Sequence, residues 1–216
     1  MNRDRFTWHD GDLKIIETTI DGEPALFLTP RERSWRALVS AAGLKTGDHL
    51  ALAFRVLSFR RAGNPFDIDN LAKPVLDELA ARPETIWVRV TESHPAWLTI
   101  SAEVAPAAPE TALSVSVASP RARSAKPVVE MPELQGLSLI GLGTEPLGLE
   151  IRFDSPDVPI WNFGFDGPIK PFIDGMGPLL GPARQGPADY RIKDLRLSRG
   201  ARPDRRGAQI RMWLLD

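Results

Sequence analysis

Residues 64–79 read NPFDIDNLAKPVLDEL and set Asp67, Asp69, Lys73 and Asp77 within eleven positions. Gly63, Pro65 and the alternation of Phe66 and Ile68 with the acids predict an extended run through Asp67-Ile68-Asp69. In an extended chain residues two apart point to the same side, so the two carboxylates converge. Asp69 or Asn70 then caps a helix that begins near Leu71. Leu71, Val75, Leu76 and Leu79 fall on one apolar face of that helix. Lys73 and Asp77, four apart, lie on its other side in line with Asp69. Pro74 is expected in or near the first turn, where a missing N–H matters least.

Paired aspartates repel each other unless a positive group lies between them. A hard divalent cation such as Mg2+ suits the pair, because it prefers oxygen ligands and keeps some of its water. A metal there polarises a phosphodiester and activates water, and Lys73 is placed to stabilise charge developing on the phosphate. A capped helix with a solvated charged face is the plain alternative. Two acids and a lysine at these spacings favour the functional reading.

The run Asp67-Ile68-Asp69-Asn70-Leu71-Ala72-Lys73, followed by Val75-Leu76-Asp77 and Leu79, resembles the D-x-D-N-L-x-K-x-x-x-D-x-L signature of RusA-like endonucleases. These are Mg2+-dependent resolvases of Holliday junctions, often carried by prophages and acting in DNA recombination and repair. Leu50–Val56 is similar to the strand that precedes the signature in that family, and the resemblance spans roughly residues 30–103. It implies that Asp67 and Asp69 are metal ligands and that Lys73 is the catalytic lysine. The family carries a third essential acid on the strand after the helix, in a D-D-x-x-V context. Here the matching place reads Arg82-Pro83-Glu84-Thr85-Ile86-Trp87, which makes Glu84 the candidate third ligand and catalytic acid. The residue is Glu rather than Asp and the connection to it is shorter than usual. Asp77 is expected to support Lys73.

Beyond residue 130 the chain repeats this pattern. Phe163–Met176 aligns without gaps on Phe66–Leu79, with Phe, Asp, Lys, Pro and Asp coinciding. Pro168, Phe172, Ile173 and Met176 reproduce the apolar helix face. Leu149–Phe153 reads as the matching upstream strand, and Asp189–Leu197 as the acid-bearing strand, with Asp189 in the third-acid place. Gly164 replaces the first acid and Gly167 the Asn, so this helix should be short and poorly formed. Duplication is the better reading of so ordered a match. RusA-like proteins act as homodimers, so the resemblance implies a fused pseudo-dimer within one chain, with homodimerisation of the chain left open.

The chain has 216 residues, 43% apolar, enough for a real core. It lacks Cys, which excludes disulfides and thiolate metal sites. No apolar run approaches membrane-spanning length, and MNRDRFTWHDGD lacks a signal-peptide core. A cytoplasmic protein with no membrane partner is expected. Net charge is −1, so attraction to DNA must be local. Residues 31–61 carry seven basic and two acidic residues, and 182–211 carry nine and three. Arg55, Arg60, Arg61, Lys170, Arg191 and Lys193 are the candidate DNA contacts.

The N-terminus reads as a hairpin of Leu13–Ile20 and Ala25–Leu28 about Asp21-Gly22-Glu23-Pro24. A helix from Arg31 to Ala42 follows, capped by Thr29 and ended by Gly43. Strands are expected at Leu50–Phe59, Thr85–Glu92 and Trp97–Val104. The fold class is α+β: two related RusA-like lobes, 1–104 and 131–216, each a small mixed sheet with flanking helices. The Ala/Pro/Ser-rich stretch 105–130 reads as a linker in which Val115-Ser116-Val117 has strand character. The six Trp are expected mainly in the core. The three His have no metal-ligand spacing, and Gly141-Leu142-Gly143 is too short for a phosphate loop. Two functions follow: a metal-dependent endodeoxyribonuclease acting on branched DNA, or a decayed RusA-like module that binds DNA or a protein partner without cutting.

Overall fold

The computed structural model describes residues 3–9, 12–43, 47–61, 64–79, 83–117, 144–154, 160–161, 169–180, 182–183, 186–200 and 207–216. The chain divides into two compact units, Met1–Ala105 and Pro106–Asp216, each of mixed α+β construction.

The first unit runs β1 (Arg3–His9), β2 (Asp12–Asp21), α1 (Glu32–Ala41), β3 (His49–Val56), β4 (Arg60–Arg61), β5 (Asn64–Pro65), α2 (Ile68–Leu76), β6 (Thr85–Glu92) and β7 (Trp97–Ser101). Its sheet order is β1-β2-β7-β3-β6. β3 and β6 are parallel, while β3 with β7, β7 with β2 and β2 with β1 are antiparallel. β4 and β5 form a separate two-stranded ribbon just ahead of α2. The parallel pair requires a crossover, and α2 supplies it.

Strand alternation builds the core. Leu50, Leu52, Phe54 and Val56 on β3, Ile86, Val88 and Val90 on β6, and Leu98 and Ile100 on β7 are buried. α2 packs on β6 and on α1, burying Ile68, Leu71, Ala72, Val75 and Leu76. Each large side chain so buried stabilises the unit by about 1.5–3 kcal/mol.

The N-terminal hairpin differs from the expected one. β2 turns back on β1, and residues 23–28 form no strand. The reason is that β2 already has a partner on each side, β1 and β7. The chain leaves the sheet at Gly22, whose N–H donates to the Ala96 carbonyl at 3.1 Å and whose φ of +112° suits glycine. Helix α1 ends at Gly43 with φ +61°, as expected of a left-handed terminator. Thr29 does not cap it: its hydroxyl donates to the Leu26 carbonyl at 2.7 Å, and Arg31 occupies the cap position without a side-chain bond.

The second unit runs β8 (Leu113–Val117), β9 (Leu147–Phe153), α3 (Ile169–Asp174), α4 (Gly177–Leu180), β10 (Pro182–Ala183), β11 (Gly186–Pro187), a 3-10 turn (Asp189–Arg191), β12 (Ile192–Arg199) and β13 (Ala208–Leu214). Its sheet order is β12-β9-β13-β8. β9 and β12 are parallel; β13 is antiparallel to both β9 and β8. β10 and β11 form a short ribbon. The stretch read as a linker therefore contributes β8, because alternating Leu113, Val115 and Val117 give β13 an edge to pair with. Residues 118–143, with the rest of that stretch and Gly141-Leu142-Gly143, lie outside the described residues.

Leu147, Leu149, Ile151 and Phe153 of β9 are fully buried. Phe172, Ile173 and Met176 of the helical segment are buried as well, and Phe153 meets Phe172 edge-on at 5.2 Å. α3 is six residues long, with Pro171 inside it and Gly175 directly after it, in keeping with the short helix expected. Gly148 is a packing requirement, since a Cβ there would overlap the Trp213 ring. Of the expected core Trp, Trp35 and Trp87 are buried, with Trp213 in the second unit, whereas Trp97 is half-buried.

Among the described residues no helix is long and apolar enough to cross a membrane.

Candidate functional site

In the first unit the signature lies where the β4–β5 ribbon passes into α2. The helix starts earlier than its sequence suggests. Asp67 is the extended residue at the cap position (φ −92°, ψ 147°), and Ile68 and Asp69 are already helical. Ile68 drives this shift: at 2% exposed it is a core residue, and only the helical turn lets it join Leu71 and Val75 on the buried face. The carboxylates of Asp67 and Asp69 still converge, with oxygens within 4.8 Å of one another. They do so at a helix N-terminus rather than along a strand. Asp67 makes no capping bond through its side chain; its carboxylate accepts instead from the Asn70 amide at 3.2 Å.

Asp69 is 3% exposed, a burial that carboxylates rarely reach unless paired or bound to a cation. The helix N-terminus adds partial positive charge at this point. Two oxygen donors of this kind fit a hard divalent ion, and Asp67 and Asp69 are the residues that would hold it.

Because the helix begins at Ile68, Pro74 falls in its second turn, not its first. A proline there deprives the Asn70 carbonyl of its helical donor. The backbone N–H of Phe27 takes that place, donating to Asn70 O at 2.8 Å. This bond docks the segment before α1 onto α2, and it brings the Phe27 ring over the Lys73 ammonium, 4.8 Å from Nζ to the ring centre. On its other side Lys73 donates to both oxygens of Asp77, at 3.1 and 2.8 Å.

Asp77 is shared. Arg36 of α1 donates to Asp77 Oδ2 at 2.5 Å, to Glu78 Oε1 at 3.1 Å and to Glu32 Oε1 at 2.7 Å. The second oxygen of Glu32 accepts the Leu28 N–H at 2.6 Å. Leu28 holds a left-handed φ of +60°, unusual for leucine, at the point where the chain turns from Phe27 into α1. The contacts close a ring: Phe27, Lys73, Asp77, Arg36, Glu32 and back to Leu28. Burial disfavours the charged form of Arg36, but its bonds to Asp77, Glu32 and Glu78 outweigh this and raise its pKa above the ordinary guanidinium value. Burial likewise raises the pKa of Asp77, and the bonds from Lys73 and Arg36 more than reverse it, leaving the carboxyl below the usual aspartate value.

Glu84 is not brought to the pair. It is exposed just ahead of β6, its backbone N–H tied to the Asp48 carbonyl at 2.7 Å. Among the described residues it belongs to no group of three or more acids or histidines able to share an ion. The short connection after α2 sets this. It delivers Glu84 to the start of a strand paired with β3, and Val88, not Glu84, reaches the buried middle of β6.

The second unit places the residues of the expected second copy as follows. Lys170 lies 3.9 Å from Asp174, its i,i+4 neighbour, and 3.9 Å from Asp189. Asp189, expected on the strand itself, is buried in the 3-10 turn Asp189–Arg191 that precedes β12. Asp166 and Gly164 lie outside the described residues.

The candidate DNA contacts fare unequally. Arg55 is exposed on β3 and stacks over Trp97 at 5.8 Å. Lys170 and Lys193 are half-buried. Arg191 is 2% exposed and donates to the Glu145 carbonyl at 3.0 Å and the Leu180 carbonyl at 3.1 Å, so it is a structural residue rather than a phosphate contact. The side chains of Arg60 and Arg61 lie outside the described residues.

Sequence reasoning missed Arg36 and Phe27. The first had a signal, since Glu32 and Arg36 are i,i+4 partners on α1. The second had none, because its place depends on a carbonyl that Pro74 leaves without a donor.

No protein-family model, no curated protein and no solved structure matches this chain.

Proposed function

We propose that the Asp67–Asp69 junction is the metal-binding site of a RusA-like, Mg2+-dependent endonuclease acting on branched DNA. One observation carries the reading: a buried Asp69 and a neighbouring Asp67 converge at a helix N-terminus, about one turn before a lysine braced on two sides. A bound Mg2+ would supply Lewis acidity and an activated water. Asp67 and Asp69 would hold it. Lys73, with its ammonium clasped between Phe27 and Asp77, would meet charge developing on the phosphate. Among the candidate DNA contacts of the first unit, Arg55 is an exposed cation that would meet backbone phosphates.

We read the two units as duplicated lobes of a fused pseudo-dimer. The reading is supported by their common order of elements: a strand, a helical crossover, a parallel strand beside the first, then an antiparallel strand on the first strand's other side. It is also supported by the recurrence of the Lys–x-x-x–Asp pair as Lys73–Asp77 and Lys170–Asp174. Two related surfaces would suit a two-fold junction.

A second reading rests on Glu84. Its place apart from the pair favours a decayed module that binds branched DNA or a protein partner without cutting it. A cleavage assay on a four-way junction beside linear duplex, with and without Mg2+, separates the two. The nuclease reading requires junction cleavage that needs Mg2+ and is lost in Asp69→Asn. The binding reading requires junction retention without cleavage.

A further inference from the structure

We infer that Arg36 is a positioning residue for Lys73, acting through Asp77; the inference rests on the nuclease reading for its meaning but not for its test. Asp77 accepts from two cations, Lys73 at 2.8 Å and Arg36 at 2.5 Å, both on Oδ2. A carboxylate held by one lysine alone neutralises it and keeps it. A carboxylate drawn also toward a guanidinium on a separate helix gives the lysine a fixed direction with only part of the opposing charge. Lys73 then keeps positive charge for an incoming phosphate. Arg36 is suited to this because its planar fork spans Glu32, Asp77 and Glu78 at once, which a lysine cannot do. Glu78 matters to the sign. Without Arg36, Asp77 and Glu78 would be left as adjacent carboxylates beside Lys73, and the ammonium would be drawn more firmly onto Asp77.

The same ring fixes the opposite wall. Glu32 links Arg36 to the Leu28 N–H, and Leu28 follows Phe27, whose ring covers Lys73. One side chain on α1 thus orients both groups that brace the lysine, through its bonds to Glu32, Asp77 and Glu78.

The test is the acylation rate of Lys73 under a short pulse of an acetylating reagent, read peptide by peptide by mass spectrometry. The other five lysines of the chain serve as internal references. In Arg36→Met, Lys73 acylation should fall about threefold as Asp77 takes a fuller hold on it, with the reference lysines unchanged. Arg36→Lys should restore part of the rate. In an Asp77→Asn background, Arg36→Met should have no further effect. A purely structural Arg36 predicts the reverse sign, because loosened helices would expose Lys73 and speed its acylation. An unchanged or faster rate in Arg36→Met overturns the inference. So does an equal threefold fall in the Asp77→Asn background. Should Arg36→Met fail to fold, Arg36→Lys alone decides: wild-type acylation of Lys73 in that variant overturns the inference, and an intermediate rate supports it. Single-turnover junction cleavage, run alongside, should slow in Arg36→Met with DNA affinity unchanged. A wild-type chain that does not cut at all would sink the nuclease reading while leaving the acylation result to stand on its own.

Discussion

Asp77→Asn isolates the charge at the centre of the ring around Lys73. The carboxylate accepts from Lys73 at 3.1 and 2.8 Å and from Arg36 at 2.5 Å, with its side chain 31% exposed. Pairs this accessible are screened and contribute about 0.2–1 kcal/mol each. Two of them put the loss at about 1 kcal/mol, since the amide preserves shape and some hydrogen bonding. For a chain of this size that lowers Tm by about 2–4 °C. The loss should depend on pH. The folded carboxyl titrates below the ordinary aspartate value, so its contribution is complete above about pH 4 and fades as pH falls through the depressed folded value. Urea denaturation of wild type and Asp77→Asn should therefore show a gap of about 1 kcal/mol at pH 7 that narrows at an acid pH below the ordinary aspartate value. A gap of equal size at both pH values would refute the electrostatic account and leave only packing.

Lys73→Ala should slow junction cleavage by at least about a hundredfold while leaving Mg2+ affinity by calorimetry intact, because the lysine is assigned to developing charge and not to the metal. Leu71→Ala empties a fully buried position on the face of α2 that packs into the core, and should cost about 2–5 kcal/mol in denaturant unfolding. Gly148→Ala places a methyl into the Trp213 ring and should cost about 3 kcal/mol or more, read as lost Tm together with a changed Trp fluorescence maximum.

Much of the first unit is legible in the sequence because its strands alternate cleanly: Thr85–Glu92 matches β6 end to end, and β3 and β7 match in all but their ends. The N-terminal hairpin was misplaced because Ala25–Leu28 is apolar enough to read as a strand. What settles its structure is tertiary, namely the Phe27 bond to a carbonyl on α2. The start of α2 was misjudged by three residues, since burial of Ile68 outweighed the period-two pattern around it. The aspartate pair survived that error, because both an extended run and a helix cap bring residues 67 and 69 together. Glu84 did not survive, since its position depends on how a short connection enters β6 and no spacing rule carries that information. Arg191 reads as a surface cation in sequence, yet the carbonyls of Glu145 and Leu180 enclose it.

The central claim is that Asp67 and Asp69 hold a catalytic Mg2+. The most direct measurement is cleavage of a labelled four-way junction by the full chain across a Mg2+ titration, with Asp69→Asn alongside and circular dichroism confirming that the variant is folded. The account predicts Mg2+-dependent cuts in the junction by wild type and none by folded Asp69→Asn, because the amide retains the side chain's shape but not the charge a hard cation needs. Cleavage by Asp69→Asn at the wild-type rate and with the same Mg2+ dependence would contradict it.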